Sequence, residues 1–525
     1  MDPARLTLPA DLTTHLTTHL TTQTTGVLLL LLPMLAPALA AAAAGLLGWR
    51  PVTGRLIVGS AAVQGLCGAV LAARTVNGQA VTGLGGLLRA DALSAFMLLV
   101  VATVGTLATA SVPGYLAQEQ AEGRGSAPAR RMFAVLLPGF LATMALAVLA
   151  DDLGVLWVAV EATTVVTAFL VGHTRTRQAL EATWKYVVLG SAGIATAFLG
   201  TVLVYLAAVH AGHPTLSWAV LSRPGAGLDP GVMRVAIGLV FVGFGTKAGL
   251  APMHAWLPDA HSQAPAAVSA LMSGVLTSVS LYALLRYLPV ASSAVGPGLP
   301  RTLLVAGALL SLAVAAAMLL AQRDLKRMLA YSTVENMGLL ALGAATGSRL
   351  AIGAVLLHVL GHGLAKSSLF LTSGRIHHAE HTTRIGAVRS LLARRPGLGA
   401  VWGAGLVALV GLPPSSLFLS EVVILGAAVA GGLGWVALTA GVLLLIAYVA
   451  VARHGTGMLL GPAAPGAATG DTATGDTATG SVSDPGRWAD LPGWAGLAGC
   501  AGLALGVWAA VPLLRAAAAT VTGGS

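Results

Sequence analysis

The sequence predicts an all-α polytopic membrane protein with about fourteen transmembrane helices. Three observations predict it. Hydrophobic residues make up 56% of the 525, and only 9% are charged, against about 25% in a soluble protein. Mean hydropathy is +0.84, and apolar runs of the roughly 20 residues needed to span a bilayer follow one another with short polar breaks. The net charge of +10 sits mostly in those breaks, which suits orientation in a membrane and argues against a nucleic-acid partner.

Residues 1–25 are polar and Thr-rich (LTTHLTTHLTTQTT). They lack the basic start and apolar centre of a signal peptide and are expected as a polar N-terminal segment. Spans near 26–48, 55–73 and 90–111 fill a first block, 26–131. Spans near 132–150, 153–172, 183–209, 232–252 and 264–288 make a five-helix unit over 132–288. Spans near 302–321, 327–346, 350–373, 398–432 and 433–452 make a second over 302–452. Residues 453–490 are expected as a flexible loop, with a Gly/Ala/Thr-rich low-complexity stretch at 461–486 that has ATGDTATGDTATG at its centre. The fourteenth helix, near 491–514, and a tail complete the chain.

Two spans are expected to be broken. The twelfth is too long and holds Gly411-Leu412-Pro413-Pro414; proline removes a backbone donor and clashes with the preceding turn. The seventh ends in Gly249-Leu250-Ala251-Pro252. Broken helices occur in membranes where backbone lines a cavity or is buried in protein. With the N-terminus outside, loop Lys and Arg number 17 inside and 9 outside, so both termini are expected outside a multi-pass plasma-membrane protein.

A titratable side chain in hydrocarbon is costly and marks function by default. His358, His362 and Lys366 lie four residues apart. Each step of four turns a helix by only about 40°, so they form a ladder roughly 12 Å long on one face. Glu161 (LWVAVEATTVV), Lys185 (ATWKYVVLG), Lys247 (GFGTKAGLAPMHAW), Glu335 (AYSTVENMG) and Glu421 (GLPPSSLFLSE) also fall in apolar runs. Each has a plainer reading. Glu161 or Glu421 can cap a neighbouring helix, Lys185 can snorkel to the interface, Glu335 can be structural near the loop end of its helix, and His358 can be a satisfied core histidine. Three groups in register favour a proton path. Glu161 to Glu335 and Lys247 to Glu421 are both 174 residues apart (335 − 161 and 421 − 247). Five spans separate each pair, which suggests two inverted-topology repeats, helices 4–8 and 9–13.

Cys67 and Cys500 are far apart, with no CxxC or Cys/His spacing, so no metal or iron–sulfur site is expected. No strand-plus-GxGxxG unit indicates a nucleotide cofactor either. No cofactor and no catalytic residue are expected.

Three longer segments, FVGFGTKAGLAPMHAWLPDAHSQAPAAVSALMSGVLTSVSLYALLRY, LKRMLAYSTVENMGLLALG and LLHVLGHGLAKSSLFLTSG, resemble the antiporter-like membrane subunits of complex I. That family extends to Mrp-type cation/proton antiporters and membrane-bound nickel–iron hydrogenases. The resemblance covers roughly 85–455. VEATTVVTAFLVG, EATWKYVVLGSAGIATAFLGTVLVY, GLPPSSLFLSE and Glu335 are most similar to component F of hydrogenase-4 and formate hydrogenlyase-type complexes.

The resemblance implies roles. Glu161 and Lys247 match the glutamate–lysine pair of a first half-channel, Lys366 the central lysine with His358 and His362 beside it, and Glu421 the terminal charged residue. Lys185, Glu335, Asp259 and His261 are secondary candidates. Many relatives carry a Lys or His on the eighth helix where this chain has Ser278, so the link between halves falls to water, His254 or His261. The implied function is proton translocation in a membrane-bound respiratory or hydrogenase-type oxidoreductase complex. The chain itself would be non-catalytic, driven by other membrane subunits and a peripheral redox arm. Protons suit a Glu–Lys–His row better than Na⁺. The alternatives are a stand-alone Mrp-type antiporter subunit and a complex I membrane subunit.

Overall fold

A computed structural model of the chain describes residues 10–123, 125–462 and 490–523. Almost all of it is helix, built in chain order as follows. A first group comprises α1 (Ala10–Leu47), α2 (Pro51–Thr75), α3 (Ala92–Ala121) and α4 (Ala127–Leu149). Then come α5 (Leu153–Val171), α6 (Arg177–His210), a short α7 (Trp218–Leu221), α8 (Pro230–Ala248) and α9 (Trp256–Gln263). α10 (Ala266–Leu271) continues through a π turn, Met272–Leu276, into α11 (Thr277–Val295). α12 (Gly298–Leu320), α13 (Leu325–Ala345) and α14 (Arg349–Glu380) follow. The last are α15 (Leu391–Arg394), α16 (Pro396–Leu409), α17 (Ser416–Ala430), α18 (Gly434–Leu460), α19 (Leu491–Leu505) and α20 (Val507–Thr522).

Many starts are written locally. Asp91, Asp152, Asp229 and Asp324 cap α3, α5, α8 and α13, and Ser126, Thr176, Ser348 and Ser415 cap α4, α6, α14 and α17, each accepting an orphan amide of the first turn.

Among the described residues, 11 helices are long and apolar enough to cross a membrane, or 12 with the α19–α20 pair counted as one span. The other two expected spans fall on α13, which carries Lys326, Arg327 and Glu335, and on the short pair α16 and α17. The chain is a multi-span membrane protein.

Several boundaries differ from the sequence reading. α1 starts at Ala10, inside the stretch expected as a polar segment. α18 runs to Leu460, past 453; residues 463–489 of the expected flexible loop lie outside the described residues. The last span bends by 81° where α19 meets α20. An antiparallel hairpin, β1 (Val81–Gly83) and β2 (Leu88–Ala90), interrupts the all-helical pattern, pairing Val81 with Ala90 and Gly83 with Leu88. Gly85 and Gly86 in its turn take positive φ, which glycine adopts without a Cβ clash.

Burial decides which helices are central. The apolar window of the α10–α11 span is 100% buried and that of α14 83%, whereas α2, α6, α12 and α18 are each 39% buried and face outward. α14 touches α3, α13, α16, α17 and α19. α6 packs along α8, and Gly243 is what allows it: a Cβ there would stand 2.5 Å from Ala197.

Candidate functional site

Two clusters form around the buried lysines that the sequence singles out, Lys247 and Lys366. In the first, Glu161 lies near the middle of α5 and Lys247 at the last turn of α8, just before Gly249 turns the chain with a φ of +82°. Lys247 is fully buried. Its Nζ donates to Thr164 Oγ1 at 2.7 Å and to Tyr186 Oη at 2.8 Å. Thr164 in turn donates to Glu161 Oε2 at 3.0 Å. A hydroxyl therefore stands between amine and carboxylate, and among the described residues no direct ion pair joins them. The Tyr186 ring also lies 4.5 Å from the ammonium, close enough for a cation–π contact.

The second cluster surrounds Lys366 on α14. Lys366 is fully buried and donates to the Leu329 carbonyl at 2.6 Å and to Ser332 Oγ. From there a polar line runs down α13. Asn336 Nδ2 donates to the Ser332 carbonyl at 2.6 Å, Asn336 Oδ1 meets His358 Nε2 at 2.7 Å, and His358 Nδ1 meets Ser420 Oγ at 2.9 Å. Ser420 precedes Glu421, whose carboxylate is hydrogen-bonded by Tyr448 and lies against Gly411. The break between α16 and α17 makes that seat: Gly411 takes a φ of +63°, and a Cβ there would overlap the Glu421 carboxylate.

His362 does not continue the line. Its ring stacks on His358 at 6.3 Å between centroids, and among the described residues neither of its nitrogens has a hydrogen-bond partner. Glu335, expected near a loop end, instead sits mid-helix in α13, buried to 2% exposure. It interacts electrostatically with both Lys366 and Glu421, and its Oε1 has no hydrogen-bond partner among the described residues.

Between the clusters lies α9. Trp256 packs edge-on against Tyr186 at 5.2 Å and 6.3 Å from the His261 ring, which lies 5.5 Å from Phe370 on α14. His261 is fully buried; Nδ1 bonds the Leu257 carbonyl at 2.9 Å and Nε2 has no hydrogen-bond partner among the described residues. His261 interacts electrostatically with Lys366. His254 is less buried, with its ring 6.4 Å from Tyr331. Ser278 is buried, and its hydroxyl has no partner among the described residues. Beside it the π turn brings Gly274 against Gly363 of α14, and Ser273 bonds Thr333 of α13 at 2.8 Å. Such turns often accompany function.

Lys185 and Asp259 stand apart from the buried row. Lys185 pairs with Glu181 at 2.7 Å and Asp259 at 2.9 Å, and Asp259 with Arg327 at 2.5 Å, all partly exposed. This network ties α6, α9 and α13 together at their ends.

Sequence reading missed a third cluster. Arg286 on α11 makes paired 2.6 Å hydrogen bonds to Asp91, stacks 3.9 Å from the Trp218 ring and donates to Ser94 and Tyr282. Burial works against the Asp91 charge, but the Arg286 guanidinium and the Ser94 amide outweigh it and hold the carboxyl below its usual range. Burial instead pushes Asp151 up, with Ser217 donating to it at 2.5 Å. Also missed were Thr164, Tyr186, Ser332, Asn336, Ser420 and Tyr448. Only the i, i+3 spacing of Glu161 and Thr164 is visible in the sequence.

Residues 150–447 match the family described as NADH:quinone oxidoreductase/Mrp antiporter, TM. A hydrogenase-4 component F homolog of Methylacidiphilum infernorum is 37% identical over 345 residues, 65% of this chain and 72% of that protein. NADH-quinone oxidoreductase subunit N of Desulforudis audaxviator is 37% identical over 263 residues, 50% of this chain and 51% of that one. In structure, a chain of the Mrp complex from Dietzia sp. DQ12-45-1b superposes with a TM-score of 0.79 at 23% identity, covering 94% of this chain and 98% of that one, a likeness of fold. Matched over more than half its length and to most of a relative, the chain belongs to the NADH:quinone oxidoreductase/Mrp antiporter transmembrane family.

Proposed function

We propose that this chain is the proton-translocating, antiporter-like subunit of a membrane-bound oxidoreductase complex of hydrogenase or respiratory type. The observation that carries the reading is a pair of fully buried lysines, Lys247 held by two hydroxyls and Lys366 by a hydroxyl and a backbone carbonyl, each with a carboxylate interacting electrostatically. An ammonium in an apolar interior is costly unless partnered. Such a group is retained where it exchanges a proton.

In the first half, a proton moves between Lys247 Nζ and Glu161 across the Thr164 hydroxyl. The separation of Glu161 from Lys247 sets how tightly the amine holds it, and a driving subunit acts by changing that separation. His261 is the relay toward Lys366. From Lys366 the proton passes through water and His358 to Glu421, with Ser332, Asn336 and Ser420 orienting Lys366 and His358 and Glu335 balancing the charge of Lys366. Units 132–288 and 302–452 are read as the two inverted halves, with both termini outside the plasma membrane. The partners are other membrane subunits and a peripheral redox arm, and H⁺ rather than Na⁺ is carried.

The test is proton uptake in vesicles containing the assembled complex. Lys247→Ala, Lys366→Ala and Glu335→Gln should each abolish uptake coupled to the redox reaction while the subunits remain assembled. Coupling unchanged in either lysine variant would remove the proposal.

A further inference from the structure

We infer that the chain binds the phosphate headgroup of an anionic phospholipid in a pocket at the ends of α12, α14 and α18. The pocket has a volume of about 790 Å³ and is lined by four arginines, Arg323, Arg384, Arg389 and Arg453, with His454 and, among the described residues, no carboxylate. That volume falls within the roughly 300–1,000 Å³ of ligand sites. Arg389 is committed to the Gly386 and Gly457 carbonyls. Arg323, Arg384 and Arg453 are exposed and have no acid partner among the described residues. The acids that neighbour them along the chain are occupied: Asp324 caps the Arg327 amide and accepts from Thr383, and Glu380 pairs with Arg394 and Arg395.

Three unpaired guanidinium groups facing one cavity repel each other, and an anion relieves that. Guanidinium forks match phosphate oxygens in geometry. A lipid is favoured as the source because the pocket sits where spanning helices end. Its chain neighbours Leu320 and Leu460 are 50% and 69% exposed, an apolar flank for acyl chains beneath a charged head. All four arginines lie on the side proposed as cytoplasmic, where basic pockets between helices take anionic headgroups.

The complex is purified with the wild-type chain and with the triple variant Arg323→Gln/Arg384→Gln/Arg453→Gln. Each is titrated with phosphatidylglycerol, phosphatidylcholine and inorganic phosphate, and lipid retained per complex is counted by native mass spectrometry. The wild type should retain more phosphatidylglycerol, with affinity falling about fivefold per arginine removed and about a hundredfold in the triple variant. Phosphatidylcholine should show no such difference. Equal retention of phosphatidylglycerol by the triple variant overturns the proposal. So does inorganic phosphate that displaces the lipid at equal concentration, which makes the site one for a free anion. Retention that appears only after deletion of 466–486, which holds Asp471, Asp476 and Asp484, also overturns it and assigns the pocket to the chain's own acidic segment. If the triple variant fails to assemble, the three single variants, each about fivefold weaker, carry the same comparison.

Discussion

Thr164→Val probes the first cluster most sharply. Valine has nearly the shape of threonine but no hydroxyl. The structure gives Thr164 Oγ1 two bonds to ionisable partners, accepting from Lys247 Nζ at 2.7 Å and donating to Glu161 at 3.0 Å. A hydrogen bond to a charged group is worth about 1.5–3 kcal/mol. If the hydroxyl carries the proton between them, losing one such interaction in the transfer slows it about ten- to hundredfold. Lys247 keeps Tyr186 as a partner at 2.8 Å, so the fold should survive with a fall in stability of about 1–3 kcal/mol. The assay is redox-driven proton uptake in vesicles beside thermal unfolding of the same preparation. Thr164→Ser restores the hydroxyl and should restore uptake. Wild-type uptake in Thr164→Val would refute the relay, and loss of uptake in Thr164→Ser would show that packing, not the hydroxyl, matters.

Other outcomes follow from named contacts. His261→Phe fits the aromatic surroundings of Trp256 and Phe370 and should preserve assembly while cutting uptake at least tenfold, on the order of 1.4 kcal/mol or more of barrier; His254→Phe should stay near wild type, and the reverse ranking in the vesicle assay would move the link to His254. Gly411→Ala places a Cβ on the Glu421 carboxylate and strains a φ of +63°, costing about 1–3 kcal/mol and displacing Glu421, read as reduced uptake and a lower Tm. Asp91→Asn leaves the buried Arg286 without its counter-charge and should destabilise by about 3–5 kcal/mol, whereas Asp91→Leu/Arg286→Met should recover most of that in thermal unfolding. Because the Asp91 carboxyl is held below its unfolded value, its contribution is complete above about pH 3.9 and is lost as pH falls through the lower folded value. An acid limb in the wild-type stability profile should therefore be missing from Asp91→Asn.

Composition and the spacing of apolar runs were enough for the membrane class and the family of helices, because a bilayer demands one feature a linear sequence displays openly: long apolar stretches. Charges within the apolar runs were legible for the same reason, as Glu161, Lys247, Lys366 and Glu421 stand out against hydrocarbon. The partners of those charges were not. Thr164, Ser332, Asn336 and Ser420 are ordinary residues in a helix until another helix brings a charge beside them. The sequence places His362 in register with His358 and Lys366, but helical register says which residues share a face, not what faces them. Packing of α13 and α17 against α14 routes the hydrogen bonds through Asn336 and leaves His362 stacked aside. The same holds for Asp91 and Arg286, nearly two hundred residues apart, and for the arginines that converge at the ends of α12, α14 and α18. Local chemistry decides where helices start and break; only contact between distant helices decides which charges meet, because electrostatic and hydrogen-bond energies depend on distance in space rather than along the chain.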